Sequence, residues 1–348
     1  MVICCKVNIK EGEKIRRFLL DNKLLNKDYK LKKEDGYLYV PLINLNNDIK
    51  KDINKIINDK VEFVEVDDEC LKKAHKKQMN FREYLIKNFK KEIEDGLIAL
   101  SYDVVGDIVI IQISDEINED IRKKIGETAL KLIPSIKTVF RRKSDIKGEF
   151  RIRELELLAG DYKTLTLYKE NGYRLWVDVE KVYFSPRLGW ERKRIMEKVK
   201  FDDIVVDMFC GVGPFSIACK NAKKIYAIDI NPDAIELLKK NIELNKLQNK
   251  IIPILEDVRK VNVKGNRIIM NLPKYAHLFV DKALDIVEEN GIIHYYTIGK
   301  DFNDAIELFK SKCDCEILEK RVVKSYSPRE YVLVLDIKVK HKNKISKT

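Results

Sequence analysis

Ile204-Val205-Val206-Asp207-Met208-Phe209-Cys210-Gly211-Val212-Gly213 decides the fold of this chain. An apolar strand runs into Asp207, a turn with two glycines comes next, and Pro214-Phe215-Ser216-Ile217-Ala218 opens a helix. The glycines let the backbone turn tightly and let a ligand approach the main chain. The dinucleotide fingerprint is incomplete, because Phe215 and Ser216 stand where its third glycine belongs. The reading therefore leans on the acid at the strand end and on a second acid further along the chain.

A second apolar strand, Lys224-Ile225-Tyr226-Ala227-Ile228, ends in Asp229, 22 residues after Asp207. That is near the spacing at which a carboxylate reaches ribose hydroxyls in doubly wound sheets. Ile230 comes next, then Asn231 as a helix cap and Pro232 at the first helical position. A third run, Ile251–Leu255, leads to Glu256-Asp257-Val258, where Asp257 suits an adenine amino group. A fourth, Arg267–Met270, ends in Asn271-Leu272-Pro273. Polar groups at four successive strand ends put one site along the carboxyl edge of a parallel sheet.

These residues resemble the class I S-adenosylmethionine-dependent methyltransferases, and the fold expected is α/β, a Rossmann-like doubly wound sheet. The resemblance implies S-adenosyl-L-methionine as cofactor, with Asp207, Gly211 and Gly213 at its methionine part. It places Asp229, Ile230 and Asn231 at the ribose and Asp257 and Val258 at the adenine. Asn271-Leu272-Pro273 stands in place of the Asp/Asn-Pro-Pro-Tyr pattern of enzymes that methylate exocyclic amines. Upstream come Phe140-Arg141-Arg142-Lys143, Gly148-Glu149-Phe150-Arg151-Ile152-Arg153, and Phe184-Ser185-Pro186-Arg187-Leu188-Gly189 with Glu191-Arg192 just beyond. Together they are similar to the archaeal and eukaryotic tRNA (guanine-N1)-methyltransferases, which modify guanine 37, 3′ of the anticodon.

Guanine N1 becomes nucleophilic only as its proton leaves, and charge then gathers on O6. Such a reaction wants a base beside N1 and a donor beside O6. The resemblance implies Glu191 as the base. The same glutamate also suits the start of a helix, favoured by the helix dipole. Arg151 is the candidate for O6, since its fixed donors match a developing oxyanion. Asn271 and Pro273 are expected at the target base, with Asn271 also near the cofactor, and Tyr183 as a stacking platform for the extruded base. Arg141, Arg142, Lys143, Arg153 and Arg187 are expected at RNA phosphates, and Arg192 at the cofactor.

The bulk numbers agree. Lys and Arg total 68 against 56 Asp and Glu, for a net charge of +12, which favours a polyanionic partner. A lysine-rich proteome would give the same surplus. No run is long enough to cross a membrane and no secretory leader is present, so a cytoplasmic protein is expected. The seven cysteines lack paired Cys-x-x-Cys spacing and the four histidines do not cluster, so no metal is expected.

Along the chain, 1–66 reads as a small N-terminal α/β domain, for which the resemblance implies contact with the outer corner of tRNA. The charged stretch 67–80 reads as a linker, 81–184 as a middle α/β RNA-binding region, 185–341 as the methyltransferase domain, and 342–348 as a basic tail. Alternating apolar residues around Asn171-Gly172 predict a hairpin. The expected acting unit is a monomer on the anticodon stem-loop and outer corner of tRNA. Two other readings compete: an enzyme of wyosine-type guanosine synthesis on the same nucleotide, and a tRNA-binding protein that keeps a relic cofactor fold.

Overall fold

The structure is a computed structural model and describes residues 1–57, 59–73, 79–143 and 154–342. The chain forms two compact units, 1–79 and 80–348.

In the first unit, strand Val2–Asn8 pairs antiparallel with Tyr37–Pro41 on one side and Glu62–Val66 on the other, and Lys32–Glu34 extends the sheet. Helices Gly12–Asp21 and Asn47–Ile56 bury Ile15, Leu19 and Ile53 against Cys5, Val7 and Val40. The expected linker begins later than the charge pattern suggested. Leu71 is buried with Val2 and Cys4, and Asp68 accepts from Tyr29 Oη at 3.1 Å and pairs with the terminal amine at 3.0 Å. Apolar burial at one position and two bonds at another hold this polar stretch onto the first unit.

The second unit opens on a capping box, Asn80 with Glu83, that starts helix Phe81–Asn88. Strands Ile98–Val105, Ile108–Ile113, Thr138–Arg142 and Leu155–Gly160 form a four-stranded sheet in that order. Helix Glu119–Leu132 makes the crossover between its parallel pair. The predicted hairpin spans Leu165–Glu170 and Tyr173–Asp178, with Asn171 at φ 45° and Gly172 at φ 78°, the two positive angles of a tight two-residue turn.

The remaining sheet has seven strands: β1 (Ile204–Asp207), β2 (Lys224–Asp229), β3 (Ile251–Leu255), β4 (Gly265–Met270), β5 (Val287–Gly299), β6 (Cys313–Ser327) and β7 (Glu330–Lys342). Their order is β3-β2-β1-β4-β5-β7-β6, parallel except for β7, which runs antiparallel to both neighbours. Strand order reverses beside β1, which puts a ligand crevice at its carboxyl end. Alternate residues serve opposite faces. Val205, Ile269, Tyr296 and Val334 meet helices α1 (Gly189–Lys198), α2 (Pro214–Ala218) and α3 (Pro232–Leu244). Val206, Ile268, Tyr295 and Leu335 meet α4 (Val280–Ile286) and α5 (Asn303–Lys310).

The boundary expected at 184 is not a break in packing. Val105, Ile108, Ile110 and Phe140 of the middle sheet share one continuous core with the hairpin and with α1–α3. Sequence divides them because their strands lie far apart along the chain; burial joins them.

Candidate active site

The glycine-rich turn is built as its residues require. Gly211 sits at φ 53° and Gly213 at φ 84°, and a Cβ on Gly213 would lie 2.4 Å from Leu238 Cδ1 of α3. Asp229, at the end of β2, takes the Gly211 N–H at 2.7 Å and the Asn231 N–H at 2.9 Å. Burial raises its carboxyl above the usual range, with those backbone donors opposing. Asn231 Oδ1 accepts from Asp233 N at 3.0 Å and caps α3, while its Nδ2 donates to Lys181 O.

A cavity of about 440 Å³ opens over this turn. Tyr183, Arg192, Gly211, Asp229, Ile230, Asn231, Asp257, Val258 and Asn271, all expected at the site, line it. A second cavity of about 600 Å³ lies between the middle sheet, the Asn271–Pro273 loop and the β6–β7 hairpin. Arg142, Tyr183, Arg187, Asn271 and Pro273 line that one. The two share Tyr183, Ser185, Leu188, Asn271 and Tyr275.

Several expected residues stand elsewhere. Asp207 lines neither cavity: it is 1% exposed, takes the Ser216 hydroxyl at 2.7 Å, and leaves Oδ1 without a well-aligned donor. Burial pushes its carboxyl up to about 7. Gly213 likewise shapes the turn without lining the cavity. Arg192 lines the first cavity, yet its guanidinium is 1% exposed, matched by Glu170 and donating to Ser185 O at 3.1 Å. It braces the Ser185 turn between the cavities.

Arg141 is corrected outright. It is buried against Glu156 at 2.6 Å, Asp115 at 2.5 Å and the Ile113 carbonyl at 3.0 Å, so it presents no charge to a phosphate. Alternation along its strand turns it inward, while Arg142 faces the second cavity and Lys143 is exposed. Arg187 is exposed and bonds Asp103 at 2.6 Å. Arg151, Arg153 and the Gly148–Arg153 run lie outside the described residues.

Glu191 is in the first turn of α1, 4% exposed, and lines neither cavity. Arg194 Nη2 donates to its Oε1 at 2.6 Å and Tyr296 Oη donates to the same oxygen at 2.7 Å. Arg194 also donates to Asp336 at 2.6 Å, and Lys198 bonds both Asp336 and Glu319. Asp336 in turn contacts His294 Nδ1 at 2.6 Å. Arg267 Nη1 lies 2.8 Å from His294 Nε2 and can only donate, so that nitrogen carries the lone pair and the imidazole is neutral. Burial lowers its proton affinity in the same sense. Arg267 closes the chain on Asp203 at 2.7 Å.

Sequence reading missed the hairpin's share of the second cavity. Lys324 and Tyr326 of β6 line it, just past a register shift between Val322 and Lys324. A lysine and a tyrosine two apart, just before Ser327-Pro328, were the available signal. The seven thiols are all free, with Cys70 exposed. Among the described residues no cluster of metal-ligating side chains is found, and no helix is long and apolar enough to cross a membrane.

Comparison with known proteins adds three matched segments. Residues 166–319 match the TRM5/TYW2 methyltransferase domain, 81–164 the TYW2 N-terminal domain, and 4–50 the tRNA methyltransferase 5 N-terminal domain. The tRNA (guanine(37)-N(1))-methyltransferase Trm5b of Methanocaldococcus jannaschii is 68% identical over 98% of this chain and all of its own length. The tRNA(Phe) (4-demethylwyosine(37)-C(7)) aminocarboxypropyltransferase of the same organism is 34% identical over 69% of this chain and 98% of its own. Among solved structures, the complex of aTrm5 with tRNALeu superposes with a TM-score of 0.82 at 67% identity, covering 97% of this chain and 99% of that one. Wild-type Trm5b of Pyrococcus abyssi gives 0.76 at 38% identity, over 98% of this chain and all of its own.

Proposed function

The chain belongs to the TRM5/TYW2 methyltransferase family, and from that membership we infer that it methylates N1 of guanine 37 of tRNA, using S-adenosylmethionine. One observation of the geometry carries the reading: two cavities, one acidic at its lip and one lined with Arg and Lys, meet at Tyr183, Ser185, Leu188, Asn271 and Tyr275. A donor in the first then faces an acceptor in the second.

The first cavity fits the cofactor. Asp229 offers a carboxylate to a ribose, Ile230 and Val258 offer apolar surface to a purine, and Asp229, Glu256 and Asp257 outnumber Arg192 and Arg259 where a cation is to be held. Asp257 is itself engaged by Arg259, which holds its carboxyl below the usual range. Bound there, S-adenosylmethionine supplies a methyl group from a sulfonium sulfur, which keeps the electron pair of the broken bond.

The residues of the second cavity take the nucleotide. Asn271 stands at the junction and orients the guanine edge, Pro273 and Tyr183 shape the slot, and Arg142, Arg187 and Lys324 meet phosphates. Glu191 takes the N1 proton, and the electron pair left on nitrogen forms the new bond to carbon. Its carboxylate lies behind the cavity walls, so contact with the base forms only in the complex. Arg151 is proposed to steady O6. The small first unit is proposed to contact the outer corner of tRNA, and the cytoplasm is the compartment this substrate implies.

The 68% identity to a guanine-N1 enzyme over nearly the full chain favours methyl transfer over wyosine-type chemistry. Unmodified tRNA transcript, incubated with labelled cofactor and digested to nucleosides, is expected to yield N1-methylguanosine. A product carrying an aminocarboxypropyl group, or no transfer, would overturn the reading.

A further inference from the structure

The clasp around Glu191 belongs to a larger polar chain that crosses the interface between α1 and the sheet. Its carboxylates are Glu191, Asp203, Glu319 and Asp336; its cations are Arg194, Lys198 and Arg267. His294, which accepts from Arg267, is neutral. Four acids against three bases leave one negative charge in excess. Glu191, Arg194, Asp203, Arg267, His294, Tyr296 and Asp336 are each 8% exposed or less, so water screens that excess poorly.

An interior with one uncompensated negative charge gains by taking up one proton. N1 methylation of guanine releases one proton. The network's edge, Glu191, stands between Leu188, which lines both cavities, and Arg192, which lines the first. We propose that this network is the proton sink of the reaction, with Asp336 and Tyr296 acting as positioning residues that set the readiness of Glu191 to accept. The N1–H bond breaks, an O–H bond forms on Glu191, and the cluster becomes neutral.

The two positioning residues act in opposite senses. Asp336 shares Arg194 with Glu191 and adds a second negative charge, so it makes the glutamate a stronger acceptor. Tyr296 donates to the ionised carboxylate and makes it a weaker one. Arg194 from α1 and Tyr296 from β5 contact Glu191 directly; behind them stand Asp336 from β7 and Glu319 from β6, which share Arg194, with Lys198 from α1 and His294 from β5 on those two acids. Arg267 stands behind His294 on β4.

The proposal rests on Glu191 as base, and its test separates the two. Single-turnover methyl transfer to unmodified tRNA transcript is followed against pH, with cofactor affinity and thermal unfolding measured alongside. Glu191→Gln is expected to remove the acid limb of the profile and to slow transfer about 10²–10⁴-fold; an unchanged rate and limb would sink the base reading itself. With that reading intact, Asp336→Asn is expected to move the acid limb about one pH unit down, and Tyr296→Phe about one unit up. Cofactor affinity is expected to stay put in the tyrosine variant, whose side chain lines neither cavity. A network that only holds the fold would lower stability and leave both limbs where they were, and that result, or two shifts of the same sign, contradicts the proposal. Tyr296→Phe is nearly isosteric, so it decides alone if the aspartate variant does not fold.

Discussion

The cofactor wall and the buried α1–sheet network are both made of acids and their partners, but they are assembled differently. Around the cofactor cavity the partners are close in sequence: Asp229 holds the backbone of Gly211 and Asn231, 18 and 2 residues away. In the network one pair, Glu191 and Arg194, is local to α1, but the rest are distant: Glu191 meets Tyr296 across 105 residues, and Arg194 meets Asp336 across 142. Local partners are backbone donors, already ordered by turn and helix, so they make a ligand site without side-chain organisation. Distant partners are side chains brought together by packing, and each one's loss strands a buried charge on the others.

That difference predicts different phenotypes. The largest effect belongs to the network. Arg194→Leu leaves the Glu191 and Asp336 carboxylates without their main cation and is expected to cost about 3–5 kcal/mol of stability. Cofactor affinity of the protein that remains folded should barely change. Denaturant unfolding with calorimetry on the same samples checks both, and a stable variant that fails to bind cofactor would erase the distinction.

Asp229→Ala is the converse case. Two charge-assisted bonds disappear from the cavity lip, and cofactor affinity is expected to fall about 10–100-fold. Unfolding should shift less than in Arg194→Leu, because Gly211 and Asn231 both line the open cavity. An unchanged affinity would remove Asp229 from the site.

Asp207 straddles the two regions, being local in sequence yet buried, and its effect is on the pH profile. Its carboxyl is raised from 3.8 to about 7, chiefly by burial. A raised acid binds its proton more tightly folded than unfolded. Its contribution to stability is therefore full below pH 3.8 and is lost as pH rises to about 7. Asp207→Asn should flatten that part of the unfolding profile of the cofactor-free protein and leave the variant the more stable above pH 7. Asp336 runs the other way, since His294, Arg194 and Lys198 outweigh its burial and hold its carboxyl low. A profile that keeps its slope between pH 4 and 7 in the asparagine variant would count against this assignment.

The sequence was readable where function is written in neighbouring residues. The order of the strands' acids, the glycines at 211 and 213, the cap at Asn231 and the hairpin at Asn171-Gly172 all form from short segments. What it hid depends on long-range packing. Arg141 looks like its neighbour Arg142 in a basic run, but strand alternation sends one into the core and the other to a cavity. Lys324 and Tyr326 give a local hint, but their place beside the second cavity exists only once β6 and β7 are paired in the sheet. The excess charge around Glu191 becomes countable only when α1 and four strands are in place.

The central claim is that the two cavities hold donor and acceptor on either side of Asn271. A crystal structure of the protein with tRNA and the demethylated cofactor product tests it most directly. Guanine 37 is expected turned out of the anticodon loop into the second cavity, with N1 directed across Asn271 at the sulfur and the carboxylate of Glu191 drawn toward N1. A guanine still stacked in its loop, or one bound with N1 facing away from the sulfur, would contradict it.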